Sequence, residues 1–299
     1  MSAASLLCPI DFSEPSRTAL VYAGAIADHF GARLTVLAVD DPLLADAAAA
    51  AGLSPPLDEQ TELELQRVCR AVFGDPIVGP KHLERRVRTG KPAIEILRQA
   101  HESGADLIVM SSRGQTGVRK MFFGSTTERV LRETSHPVLI TSTDPPPGRS
   151  FDDMARHVSR VLVPVDLSEA SPHQVSVAAG IARGLSVPLL VAHVLEPIVV
   201  PSRVRLALPG SGTARRATAE DTLRDMLAPV HVPANTETFV ITGDPADEIV
   251  KLTEARRANL IVMGLHSSEP FGPRMGAVTY RVLAMTRTLV LALPPAKAH

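Results

Sequence analysis

The stretch Met110-Ser111-Ser112-Arg113-Gly114, followed after nine residues by Gly124-Ser125-Thr126-Thr127-Glu128, combines residue types that can hold an anion. A glycine lets main chain approach a ligand with no Cβ in between. The segment through Val130 and Leu131 reads as a helix, whose N-terminus brings unpaired N–H groups and the positive end of a dipole. The hydroxyls of Ser125 and Thr126 add donors. Such a loop can cradle phosphates, but an ordinary β-to-α turn uses the same Gly and Ser, and composition alone leaves both readings open. Near the N-terminus, Pro9-Ile10-Asp11-Phe12-Ser13 supplies a carboxylate. Asp11 can accept hydrogen bonds from an adenine or ribose edge, or cap the following helix, and these readings are equally open. Val39 offers backbone and a small apolar surface to a flat base, or is simply core.

These residues fall where strands end. Short apolar, β-rich runs alternate with helix-period segments, the pattern of parallel βαβ units. Strands are expected at Leu6 to Ile10, Leu34 to Val39, His82 to Arg88, Leu107 to Met110 and Val138 to Thr141. Ser13 is a candidate N-cap ahead of Pro15, with Gly31 closing that helix; another opens at Pro92 and closes at Gly104. The continuous apolar runs at Leu6 and Leu107 predict central strands, and the charged Leu83-Glu84-Arg85-Arg86-Val87-Arg88 predicts a sheet edge. The result is a doubly wound five-stranded parallel sheet of α/β class, with a ligand crevice beyond the carboxyl ends of its central strands.

The pattern occurs twice. Cys8-Pro9-Ile10-Asp11-Phe12-Ser13-Glu14 returns 155 residues on as Val163-Pro164-Val165-Asp166-Leu167-Ser168-Glu169. Thr89-Gly90-Lys91-Pro92-Ala93 returns 153 residues on as Thr242-Gly243-Asp244-Pro245-Ala246, and Ala105 to Met110 returns at the same offset as Ala258 to Met263. The 299 residues therefore read as tandem domains, 1–145 and 159–299, joined by a linker over 146–158 whose proline-rich start favours an extended chain. Each copy's last strand, Val138 to Thr141 and Leu289 to Ala292, is apolar. Left alone it would be an exposed edge, so the copies are expected to pack as an internal pseudo-dimer. Further association into a homodimer is compatible with this.

Both the strand-one signature (Pro9, Asp11, Ser13) and the spacing Ser111-x2-Gly114-x9-Gly124-Ser125 resemble the universal stress protein family, which carries a Gly-x2-Gly-x9-Gly-Ser/Thr ATP-binding motif after strand four. His136-Pro137-Val138-Leu139-Ile140 is also family-like, and the resemblance covers both halves. It implies two Rossmann-like, adenine nucleotide alpha hydrolase-like domains and ATP, with or without magnesium, as ligand. It places Pro9, Ile10, Asp11 and Val39 around the adenosine, and Met110, Ser111, Ser112, Gly114, Gly124, Ser125 and Thr126 along the ribose and phosphates; Arg113, inside the loop, can approach the phosphates or stay solvated. Ser111 departs from the motif's first glycine. Were φ positive there, the serine would be strained.

The second copy departs further: Met263-Gly264-Leu265-His266-Ser267, then eight residues, then Gly276-Ala277. The second glycine is Ser267, the motif serine is Ala277, and Glu269, Pro270 and Pro273 occupy the loop. A carboxylate repels phosphate and a proline removes an N–H donor. Asp166 and Val194 persist. One nucleotide per chain is expected, in the first domain, with the second empty or weakly occupied by an adenosine-like ligand.

Other chemistry finds little support. There is no P-loop and no Gly-x-Gly-x2-Gly after the first strand, and the ten histidines show no metal-binding spacing. His193 reads as a hydrogen-bonded core histidine. The formal net charge of −1 and 3% aromatics argue against nucleic acid as partner. Cys8 and Cys69 cannot build a disulfide framework, and nowhere do roughly 18 apolar residues run uninterrupted. The expectation is a cytoplasmic protein, not membrane-bound, that binds ATP in a stress-response or regulatory role. Alternatives are a slow ATP-hydrolysing enzyme or an interaction scaffold without nucleotide.

Overall fold

A computed structural model describes residues 4–74, 80–112, 124–142, 144, 146–198, 211–265 and 275–295. The first half contains β1 (Ser5–Pro9), α1 (Glu14–Phe30), β2 (Arg33–Asp40), α2 (Pro42–Ala50), α3 (Leu57–Phe73), β3 (His82–Thr89), α4 (Pro92–Ser103), β4 (Leu107–Ser111), α5 (Ser125–Glu133) and β5 (Val138–Thr141). After α6 (Phe151–His157) the order repeats as β6 (Val161–Val165), α7 (Ser171–Leu185), β7 (Leu189–Leu195), α8 (Ser211–Leu227), β8 (Glu237–Thr242), α9 (Pro245–Ala255), β9 (Leu260–Gly264), α10 (Ala277–Met285) and β10 (Leu289–Leu293).

The strands form a single ten-stranded sheet in the order β3-β2-β1-β4-β5-β10-β9-β6-β7-β8. Pairing within each half is parallel, and the halves meet where β5 and β10 run antiparallel, Val290 opposite Ile140 and Ala292 opposite Val138. All four of these side chains are buried, so the seam removes the apolar edges that each half would otherwise expose. Successive residues alternate between faces. Leu6 and Cys8 join one apolar layer, whereas Leu7 joins the other, and both layers run through both halves. The charged strand His82–Thr89 lies at the sheet edge as its sequence predicts, with Arg85 Nε donating to Glu62 at 2.8 Å and Arg88 reaching Gln99, Glu95 and Glu102.

The caps follow the sequence reading. Ser13 Oγ accepts from the Ser16 N–H at 3.3 Å, and Gly31 closes α1 in the left-handed region at φ 60°. The expected linker is not simply extended. Phe151 to His157 form α6, N-capped by Ser150, and the Phe151 ring stacks on His29 at the end of α1 with centroids 4.0 Å apart. Cys8 and Cys69 are both buried free thiols, and burial raises both, Cys69 to about 11. Among the described residues no helix is long and apolar enough to cross a membrane.

Candidate functional site

In each half the chain proceeds outward from the first strand to the third, then returns to lay the fourth strand on the first strand's other side. The switch point lies between β1 and β4, and again between β6 and β9, where ligand crevices form in sheets of this kind. The ladders there are short: Leu6 with Leu107 and Leu7 with Ile108, then Val161 with Leu260 and Leu162 with Ile261. Beyond these pairs the two strands share no further ladder among the described residues.

In the first half β1 delivers buried Pro9 and Ile10 to this crevice, with Asp11 half-buried beyond them. Asp11 Oδ1 accepts from the Ser13 N–H at 3.1 Å and from Ser13 Oγ at 2.5 Å. Ser13, not Asp11, caps α1, and Asp11 braces the turn. Phe12 between them sits at φ 65°, and its counterpart Leu167 at φ 61°. Left-handed backbone at a bulky residue costs about 1 kcal/mol or more. Its recurrence at both crevices marks a turn that the fold maintains, although no glycine signalled it in the sequence.

Across the crevice, β4 ends with Met110 and Ser111 buried and Ser112 half-buried. Ser111 is strand backbone outside the left-handed region, so serine there carries no strain. The Gly124 N–H donates to Ser112 O at 3.0 Å, and the buried Thr127 hydroxyl donates to Ser111 O at 3.0 Å. These two bonds seat the N-terminus of α5 on the end of β4. Thr127 was not singled out in the sequence; its signal is a hydroxyl retained as Thr279, which donates to Gly264 O at 3.2 Å. Among the described residues no side chain caps α5, so the first-turn amides, beside the exposed Ser125 and half-buried Thr126, are placed to meet an anion. Arg113 and Gly114 lie outside the described residues. Val39 ends β2 half-buried, and burial raises the pKa of the next residue, Asp40, against the Thr61 hydroxyl that donates to it at 2.8 Å.

The second half encloses a cavity of about 450 Å³, lined among others by Asp166, Gln174, His193, Val194, Gly264 and Gly276. Burial opposes ionisation of Asp166, but hydrogen bonds from Ser168 and Ser171 outweigh it and hold the carboxyl below its usual range. His193 is half-buried, with Nδ1 2.9 Å from Val165 O. Ser267, Glu269, Pro270 and Pro273 lie outside the described residues, whereas Gly276 is observed as the N-cap of α10, again without a side-chain cap.

The profile of the Universal stress protein family matches residues 4–142 and again 157–294. The chain belongs to the universal stress protein family. A universal stress protein of Mycolicibacterium smegmatis is 26% identical over 298 residues, covering 97% of both chains. The universal stress protein MJ0531 of Methanocaldococcus jannaschii is 30% identical over 135 residues, which is 45% of this chain and 79% of the relative. A crystal structure of a universal stress protein from Archaeoglobus fulgidus superposes with a TM-score of 0.65 at 22% identity, covering 98% of this chain and 97% of that one. That likeness shows the shared Rossmann-like fold. The tandem arrangement and the resemblance drawn from the sequence thus stand.

Proposed function

We propose that this universal stress protein is a cytoplasmic ATP-binding regulatory protein that holds one nucleotide per chain in its first domain. The observation that carries the reading is the joint between β4 and α5: Gly124 bonded to Ser112, and an uncapped helix start at the family motif's second half. Asp11, Pro9, Ile10 and Val39 would take the adenosine, and Ser125, Thr126 and the first-turn amides the phosphates, with or without magnesium. Binding is favoured over turnover because the Asp11 oxygen Oδ1 is committed to its turn, and cradling phosphate does not by itself activate a water. Any hydrolysis should run well below the roughly 1 to 1,000 per second of dedicated enzymes. The second domain, lacking the serine at Ala277, should hold ATP about a hundredfold more weakly, since each charge-assisted hydrogen bond lost costs about 1.5–3 kcal/mol. Calorimetric titration with ATP tests this. A stoichiometry near one supports the proposal, and no binding, or a stoichiometry near two, overturns it.

A further inference from the structure

Two residues on the wall of the second-domain cavity have no polar counterpart in the first domain. Through the 155-residue offset, Gln174 replaces Ala19 and His193 replaces Ala38. Gln174 is buried, and its Nε2 donates to Pro164 O at 2.8 Å and to Val262 O at 2.9 Å. The amide thus clamps β6 to β9 beyond the point where their own ladder stops. Both N–H groups are used, and the reverse orientation would set oxygen against two carbonyls, so Oε1 is the end left without a protein partner among the described residues. His193 follows the same logic. A carbonyl can only accept, so Nδ1 carries the proton toward Val165 O, and in the neutral ring Nε2 is an acceptor with no protein partner among the described residues.

The cavity therefore gains two side-chain acceptors beside the Asp166 carboxylate, while Ala277 and Val278 remove the two hydroxyl donors that Ser125 and Thr126 supply in the first domain. Among the described residues its other donors are the first-turn amides of α10 and the side chains of Ser168, His173 and Thr279, the last already committed to Gly264 O. The rest of the wall includes Val165, Ala192, Val194, Ile249 and Met263. An acceptor-rich pocket with apolar walls and a volume within the range of small-molecule sites selects a ligand rich in N–H and O–H groups. Phosphate oxygens are acceptors only, and the start of α10 offers them two fewer hydroxyl donors than the start of α5 does.

We propose that the second domain is a separate site for an unphosphorylated nucleoside, with His193 and Gln174 as the residues that select it over a nucleotide. The proposal rests on reading the crevice as a site for nucleotide-like ligands, and extends that reading to a different ligand class in the second copy.

The test uses the full chain carrying Gly124→Asp, which closes the first site, titrated calorimetrically with adenosine, guanosine and ATP. One nucleoside should bind with a stoichiometry near one and at least about tenfold more tightly than ATP. His193→Ala should weaken it by about fivefold to tenfold, the loss of one hydrogen bond, and Gln174→Ala with His193→Ala by about thirtyfold or more. His193→Gln, which restores a side-chain acceptor, should recover most of the affinity, and circular dichroism checks that each variant is folded. Absence of nucleoside binding, ATP binding as tight as the nucleoside, or indifference to His193→Ala would overturn the proposal. The first-domain reading is judged separately, by ATP binding to the unaltered chain.

Discussion

The two halves share a topology and differ in what they have kept. The first retains serine and threonine at the start of α5 and alanine at the positions equivalent to Gln174 and His193; the second has alanine and valine at the start of α10, and Gln174 and His193 on the cavity wall. Glycine has also been lost where helices end. Gly31 and Gly104 close α1 and α4 at φ 60° and 58°, while the second half holds Ser186 at φ 56° and Arg257 at φ 52°. Backbone geometry has survived substitutions that local preference opposes. Such a position is set by the packing around it, because each strand and helix leaves the turn only one way to close.

Breaking the partnership of the halves should have the largest effect. Val290→Asp puts an unpaired charge into the fully buried seam opposite Ile140 and should cost about 3–5 kcal/mol, read as a lower midpoint in thermal unfolding. Retention of the parent midpoint would mean that the halves are not held by this strand pair.

The ligand contrast comes next. Gly124→Asp should abolish ATP binding, a loss of at least about a hundredfold, while the fold persists, since Asp is a favourable N-cap that occupies the amides phosphate would use. Gly276→Asp should leave ATP stoichiometry unchanged. Equal losses from the two variants would erase the functional difference between the domains.

A smaller effect concerns Asp166, whose folded pKa lies below the ordinary 3.8. A depressed carboxyl contributes stability that is present above its unfolded pKa and lost as pH falls through the folded value. Asp166→Asn should therefore lower stability by about 1 kcal/mol or less at pH 7, a modest figure because solvent reaches the group, and the difference should shrink as pH falls below 3.8. A difference that does not change with pH would assign the effect to packing instead.

Smallest are the helix ends. Ser186→Gly and Arg257→Gly should each stabilise by about 0.5–1 kcal/mol, and Gly31→Ser should destabilise by a similar amount. A Cβ added at Gly31 meets nothing within 4 Å, so that comparison reads backbone preference alone. Chemical denaturation of the three variants would measure it.

Much of the fold is legible in the residues because its signals are local. Apolar runs at Leu6 and Leu107 require cover on both faces, the charged strand at His82 tolerates an edge, and Ser13, Pro92, Gly31 and Gly104 carry capping chemistry that acts within a turn. The repeat at a nearly constant offset of 153 to 155 residues gave two domains, and the motif spacing gave the family. Other features depend on where distant segments meet. The left-handed turns at Phe12 and Leu167 use residue types that signal nothing. The alternatives for Asp11 could not be separated until Ser13 was seen to take the cap, and residues of the expected linker form α6 because Phe151 finds His29 at the end of a helix well over a hundred residues earlier.

The sequence by itself determined the class of fold, its duplication, and where the first glycine-serine loop departs from the second, since these rest on periodicity and residue type along the chain. The apolar last strands already pointed to where the halves meet, but the tertiary structure alone decided that β5 and β10 pair antiparallel into one continuous sheet, and that Gln174 and His193 line a common cavity with Asp166. Hydrogen-bond partners separated by 88 residues, as Gln174 and Val262 are, are brought together by the crossover of strands, and no local propensity encodes that meeting.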